Sequence, residues 1–191
     1  LGDGTGDQRQ MRQWRRLSLN GLECLSDQAA RTFGEHGNWS LNLFGVKSLS
    51  NQAAIHLLEG RLSFMLHNLP FDLSRLEQAE ELTDDDVRDA LAAAMRSANL
   101  ELPRLRKLSD LAAQALALVD GGSGFDGLHL NGIRELSDRA FQALASVSGF
   151  LSLGSLEAIS PVQLQALHRW REWNPEYSRE TNLETLWRKF Y

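Results

Sequence analysis

A repeated apolar pattern runs through most of this 191-residue chain. The segment that starts at Leu17 recurs, with apolar or Ala residues at the same spacing, in segments that start at Leu41, Leu100 and Leu128. The shared positions, counted from the first leucine, are 0, 2, 5, 8, 12 and 16. A pattern that returns in this way indicates one supersecondary unit used several times. It therefore constrains the fold more than any single motif does.

Two weaker copies complete the set of units. The copy that starts at Leu151 has Pro161 where the others have Asp or Asn, and the copy that starts at Phe64 carries an insertion, expected near residues 70–81. We therefore expect one structural domain, divided into an N-terminal arm or cap over 1–16, six repeat units over 17–167 and an aromatic-rich C-terminal cap over 168–191.

Each unit changes its periodicity in the middle. Apolar residues two apart, such as Leu17 and Leu19, lie on one face of a strand, whereas positions 8, 12 and 16 lie on one face of a helix. A hydroxyl residue followed by Asp or Asn comes between the two parts, where a side-chain oxygen accepts the unpaired amide protons of a helix start. These pairs are Ser26–Asp27, Ser50–Asn51, Thr83–Asp84, Ser109–Asp110 and Ser137–Asp138. The sequence therefore predicts an α/β fold with a layer of parallel strands and a layer of helices.

The unit resembles the leucine-rich repeat, in a divergent bacterial form with units of about 23 residues. The motif that carries the resemblance is Leu-x-Leu-x-x-Leu-x-x-Leu-Ser-Asp-x-Ala-Ala, and it covers roughly residues 17–167. The turn departs from the better-known repeat, because an Asn or Cys ladder is replaced by Leu22, Val46, Leu69, Leu105, Ile133 and Leu156. The resemblance implies a right-handed solenoid with short parallel strands on its concave face, helices on its convex face and helical caps. It also implies a non-catalytic scaffold that binds a protein or peptide on the concave sheet.

Side chains that alternate with the inward leucines should point away from the helices. One such row is Ser18, Asn42, Met65, Glu101, His129 and Ser152, and neighbouring rows add Phe44, His67, Asn131 and Phe150. Large and aromatic residues at exposed sheet positions contribute most to protein interfaces. We therefore predict a partner-binding patch formed by Asn42, Phe44, Met65, His67, Glu101, His129, Asn131 and Phe150.

Two other functions stay open at this point. The chain could be the recognition module of a larger regulatory or effector protein, which the absence of an initial Met and the basic segment 8–16 would fit. It could also be a hydrolase-like enzyme that uses Glu101 and His129, which occupy the same position in adjacent units. No nucleophile at a strained turn and no metal-ligand spacing accompanies this pair. An ion pair or a pH-sensitive contact is therefore the favoured interpretation, and no catalytic residue is predicted.

Composition narrows the class of partner. The net charge of -5 argues against nucleic acid, because a nucleic-acid surface usually needs a basic face. No apolar run approaches the length of a membrane-spanning helix. The single cysteine, Cys24, allows no internal disulfide and no cysteine-rich zinc site. We expect no cofactor and no metal, a monomer or weak dimer, and a cytoplasmic location, with export as an effector left open.

For the two ends and the insertion, the sequence allows a structural interpretation and, for some segments, a functional alternative. Segment 8–16 is expected to cap the first unit, with a basic arm for an acidic or membrane surface as the alternative. Trp170, Trp173 and Trp187 are expected to pack in the C-terminal cap. The acidic insertion is expected to face water, with selection of a basic partner as the alternative, and Thr83 or Asp84 should cap a helix over 84–97.

Overall fold

A computed structural model describes residues 15–36, 39–60, 63–66, 68–97, 99–118, 127–147 and 149–173. Within these ranges the helices are α1 Asp27–His36, α2 Asn51–Glu59, α3 Leu73–Gln78, α4 Val87–Arg96, α5 Asp110–Leu116, α6 Asp138–Leu144 and α7 Pro161–Trp173. The strands are β1 Arg15–Ser18, β2 Cys24–Leu25, β3 Trp39–Asn42, β4 Ser48–Leu49, β5 Ser63–Met65, β6 Glu81–Leu82, β7 Leu100–Glu101, β8 Lys107–Leu108, β9 Gly127–His129 and β10 Phe150–Ser152. The predicted α/β class is confirmed.

The longer strands pair in parallel, unit beside unit. One sheet has the order β1-β3-β5 and a second has the order β7-β9-β10. In the first sheet Leu17 lies opposite Leu41, which lies opposite Phe64. In the second, Leu128 lies opposite Leu100 and Leu151. The alignment of repeats in the sequence is therefore also the pairing register of the strands.

Each of four units carries a second, two-residue strand after its turn. These strands pair as β2 with β4 and β6 with β8, also in parallel. The sequence predicted one strand per unit and missed this second row. Two residues are too few to show an alternation of apolar and polar side chains, so no periodicity was available to reveal them.

The insertion coincides with a break between the two sheets. Within the described ranges, no strand pairing joins β5 to β7. Thr83 lies 19 positions after Phe64, whereas Ser26 lies 9 positions after Leu17, so the third unit is ten residues longer. The added residues include the short helix α3, and the repeat resumes at β6. Glu81 therefore belongs to the repeat and not to the insertion.

The hydroxyl residues begin the helices as predicted. A serine Oγ accepts a backbone N–H three residues on, at 2.9 Å for Ser50, 3.2 Å for Ser109, 3.0 Å for Ser137 and 3.3 Å for Ser26. Ser160 does the same for Gln163 at 3.1 Å, although Pro161 follows it. Thr83 instead caps a 3-10 turn over Asp84–Asp86, so α4 begins at Val87 and not at Asp84.

The same serines also link neighbouring units. Ser160 Oγ donates to Asp138 Oδ1 of the preceding unit at 2.5 Å. Ser50 and Ser137 donate in the same way to Asp27 and Asp110. The Leu-Ser-Asp motif therefore has two roles, because its serine caps one helix and its aspartate receives the serine of the next unit.

The core lies between the strand layer and the helices. The residues that directly follow the longer strands are part of it, and Leu43, Leu102, Leu130 and Leu153 are all fully buried. The apolar turn residues Val46, Leu69, Leu105, Ile133 and Leu156 are also buried, and Leu22 at the first unit is partly buried. The apolar residues at these turn positions therefore form part of the core.

The two ends differ from expectation where the structure describes them. Strand β1 begins at Arg15, inside the predicted arm, and residues 1–14 and 174–191 lie outside the described residues. Helix α7 runs through the predicted boundary at residue 168. Trp170 is fully buried, but Trp173 is 70% exposed, so the packing prediction is wrong for Trp173, and Trp187 lies outside the described residues.

The apolar turn can be tested with Leu105→Ala. Leu105 is fully buried, so its truncation should lower the free energy of unfolding by about 3 kcal/mol, from lost transfer energy and the cavity left behind. Leu118→Ala is the control because Leu118 is 36% exposed, and it should cost less than about 1 kcal/mol. Urea unfolding of both variants gives the comparison. Equal losses would contradict a buried turn ladder.

Candidate functional site

The side chains that alternate with the inward leucines form what we call the outward face. Its described members are Arg16, Ser18, Asn20, Ser40, Asn42, Phe44, Met65, Asn99, Glu101, Pro103, His129, Asn131, Phe150, Ser152 and Gly154. Met65 is 53% exposed, and Glu101 and Asn131 are exposed. Asn42, Phe44, His129 and Phe150 are half-buried, and His67 lies outside the described residues. Ser152, which was predicted to belong to the same outward row, is buried.

The outward face is poor in charge. Among its described members only Arg16 and Glu101 carry a formal charge, although 24% of the chain is Asp, Glu, Lys or Arg. Serine, asparagine, aromatic residues and one methionine take the remaining positions, apart from Pro103 and Gly154. Depletion of charge with enrichment of aromatic residues and Met is the composition of the buried centre of protein interfaces.

Two of the predicted partner residues hold turns within the protein. Asn42 Oδ1 accepts the backbone N–H of Phe44 at 3.2 Å. Asn131 Oδ1 accepts Ser152 Oγ at 2.7 Å and the backbone N–H of Gly154 at 2.9 Å. The bond from Ser152 Oγ to Asn131 gives the hydroxyl of buried Ser152 a partner in the preceding unit. The sequence placed these asparagines on the outward face but did not predict their structural role.

The Glu101 and His129 region differs from the expected ion pair. The two residues are opposite each other in the β7–β9 register, so their predicted adjacency is confirmed. Glu101 Oε1, however, accepts the side-chain amide of Asn99 at 3.3 Å. The His129 ring stacks on Phe150, with ring centroids 4.9 Å apart and an angle of 28° between the planes. In the described part of the chain, no ion pair joins Glu101 to His129.

An ionic cluster, which the sequence did not reveal, links the insertion helix α3 to the start of α4, with exposed Arg75 bound to two buried aspartates. Arg75 of α3 donates to Asp86 Oδ1 at 2.5 Å and to Asp89 Oδ2 at 2.8 Å. Both aspartates are buried, and Arg88 Nε also donates to Asp89 at 2.8 Å. Most carboxylates of the insertion and of the Asp84–Asp86 run that follows it were expected to face water, but Asp86 is buried. It instead accepts both the arginine and the Thr83 N–H, which lies 2.9 Å away.

Two open clefts lie away from the predicted patch. One has a volume of about 540 Å³ and is lined by residues of the β6–β8 pair and the Thr83–Asp85 segment. The other has a volume of about 360 Å³ and lies between the C-terminal ends of α1 and α2. No predicted partner residue lines either cleft. Among the described residues, no group of three His, Cys, Asp or Glu side chains is placed to hold a metal ion.

Ion pairs between neighbouring units form what we call the rim, and their residues are as follows. Lys47 Nζ lies 2.6 Å from Glu23 Oε1, Arg134 Nη1 lies 3.4 Å from Glu157 Oε1, and Lys107 Nζ lies 3.6 Å from Glu81 Oε2. The hydrogen bond from Lys47, together with its charge, lowers the pKa of Glu23 below its ordinary value. Each of these glutamates therefore has a cation from a neighbouring unit.

Comparisons with protein-family models, with curated proteins and with solved structures found no match to this chain. In the part of the chain that the structure describes, every helix is too short or too polar to cross a membrane. The function proposed below therefore depends on the exposure, charge and contacts of the residues themselves.

The ion pair between Lys47 and Glu23 can be tested with the substitution Lys47→Met. Removing the donor and its charge should raise the pKa of Glu23 toward its ordinary value, which a carboxyl NMR titration measures. Because the pKa is lowered in the folded chain, the pair stabilises the fold above the ordinary pKa of Glu. That contribution is lost as the pH falls through the lowered pKa. An unchanged Glu23 titration in the variant would contradict the contact.

The insertion cluster can be tested through Arg75→Ala. The substitution leaves Asp86 and Asp89 buried with fewer donors, so we expect a loss of about 2 kcal/mol in unfolding free energy. Arg139→Ala, at an exposed position of α6, is the control and should change stability by less than about 0.5 kcal/mol. Chemical denaturation measures both. A neutral Arg75→Ala variant would show that the cluster does not fasten the insertion.

Proposed function

We propose that this chain is a non-catalytic scaffold that binds a protein or peptide through the outward face. The observation that carries the proposal is the charge-poor outward face with Met65, Phe44 and Phe150 on it, in a protein whose charged fraction of 24% is ordinary. Burying charged groups at an interface is costly unless they are paired, so a surface with few of them is suited to a protein contact.

We further propose that the six units form a solenoid with its strands on the concave side. Two observations support this arrangement. Strands of successive units are parallel neighbours on each side of the insertion, and α1, α2, α4, α5, α6 and α7 contact one another in that order. A stack of such units presents an extended surface of neighbouring strands, about 4.8 Å apart.

The size and openness of this surface favour a protein over a small molecule. Small ligands are bound in concave pockets that enclose most of their surface. The outward face is built from short strands side by side, and its largest exposed apolar side chain, Met65, stands 53% exposed. Such a side chain gains most when a partner surface covers it.

The proposal can be tested with two variants, one with a new charged residue on the outward face and one with a new charged residue on the helix layer. Met65→Glu puts a carboxylate on the outward face, and Val162→Glu puts one on α7, where Val162 is 39% exposed. A displayed library of random peptides is selected on the wild-type chain, and the affinity of the selected peptides is measured for both variants. We expect Met65→Glu to weaken binding by about tenfold or more, and Val162→Glu to leave it unchanged.

Circular dichroism and thermal unfolding should first show that both variants are folded. Equal affinities for the wild-type chain and Met65→Glu would remove the outward face as the binding surface. Loss of binding in Val162→Glu alone would place the surface on the helix layer. Enrichment of no peptide by the wild-type chain would contradict the proposed function.

A further inference from the structure

Three side chains from neighbouring strands form a small patch on the outward face. Glu101 of β7 lies opposite His129 of β9 in the pairing register. The His129 ring stacks on Phe150 of β10, with the ring centroids 4.9 Å apart. A carboxylate therefore lies beside a pair of stacked rings, and all three residues are exposed or half-buried.

A glycine allows the rings to meet. Gly127 lies opposite Phe150 in the β9–β10 register. A Cβ at this glycine would lie 2.0 Å from the Phe150 carbonyl oxygen and 2.8 Å from the Phe150 Cβ. Any larger residue at position 127 would push β10 away, and the phenyl ring would move with it. The stacked pair thus depends on close approach of the two strands.

The charge of Glu101 is not compensated within the described residues. Its one hydrogen bond there comes from the neutral amide of Asn99, at 3.3 Å. The glutamates of the rim differ in this respect, since Glu23, Glu81 and Glu157 each have a Lys or Arg of a neighbouring unit within 4 Å. A carboxylate on a charge-poor surface requires a cation when a partner covers it.

We infer that this patch, which we call the arginine patch, binds an arginine side chain of the protein or peptide partner. The inference rests on the function proposed above. A guanidinium is planar, donates two parallel hydrogen bonds to a carboxylate and stacks on aromatic rings. The arginine patch offers a carboxylate for the first contact, and the rings of His129 and Phe150 for the second. A lysine ammonium is compact and strongly hydrated, and it cannot make the bidentate and stacked contacts together.

The test uses peptides selected from the random library on the full wild-type chain. For a selected peptide, dissociation constants are measured for its arginine form, its lysine form and its citrulline form, in which the side chain keeps its shape but carries no charge. Each peptide is measured against the wild-type chain, Glu101→Gln and the control Glu135→Gln, which replaces an exposed glutamate outside the outward face.

We expect the effect of Glu101→Gln on affinity to depend on the charge of the peptide side chain. Glu101→Gln should weaken binding of the arginine peptide by about tenfold and leave the citrulline peptide unchanged. The lysine peptide should bind the wild-type chain more weakly than the arginine peptide does. Glu135→Gln should change none of these affinities. Thermal unfolding of Glu101→Gln should match that of the wild type, because the Glu101 side chain is exposed.

The outcomes separate this inference from the proposed function. Selected peptides that contain no arginine, or an arginine peptide whose affinity does not change in Glu101→Gln, overturn the arginine patch. If those peptides still lose affinity for Met65→Glu, the proposed function stands without it. If the wild-type chain enriches no peptide at all, both are overturned.

Discussion

Burial of each unit's inward residues against those of the next unit is the interaction on which the rest of the structure depends. Strands of two to four residues and helices such as α5 and α6, with seven residues, are too short to be stable alone. The leucines at equivalent positions lie opposite one another in the strand register, so every added unit covers the apolar face of the previous one. The spacing from the long strand to the turn of a unit cannot change without losing this register. The ten extra residues of the third unit therefore lie between the turn and β6, outside the paired strands.

The same register decides what the outward face can be. Side chains alternate along a strand, so fixing the leucines inside also fixes their neighbours outside. Some of these neighbours serve the fold, as Asn131 does when its amide oxygen bonds to Ser152 and Gly154 of the next unit. Others make few contacts of their own. Met65 and Glu101 belong to this second group, and they are the positions where a partner would add most.

Much of the fold followed from residue spacing. The repeat predicted the parallel strands, the helix starts at Ser50, Ser109 and Ser137, and the pairing of Glu101 with His129. It did not predict the division into two sheets or the second row of short strands. Strand pairing depends on how neighbouring backbones approach in space, and an insertion alters that approach without altering the apolar pattern on either side.

The candidate site was only partly visible in the sequence for a similar reason. The outward rows could be identified by counting residues, but the partner of each side chain could not. Arg75 meets Asp86 and Asp89 because α3 folds back on the start of α4. His129 meets Phe150 and not Glu101 because Gly127 lets β9 and β10 lie close together. Contacts of this kind depend on side-chain rotamers and on the distance between strands. The periodicity of the sequence contains no information on either.

The sequence by itself determined the repeating unit, its strand and helix, its capped helix starts and the side of the sheet on which each residue lies. These properties follow from local geometry, since the period of a strand, the period of a helix and the chemistry of a helix cap act over a few residues. The tertiary structure alone decided where the sheet is interrupted, which polar groups are buried and which charge has no counterion among the described residues. Those outcomes depend on groups that are distant in the chain and meet only after the units have stacked.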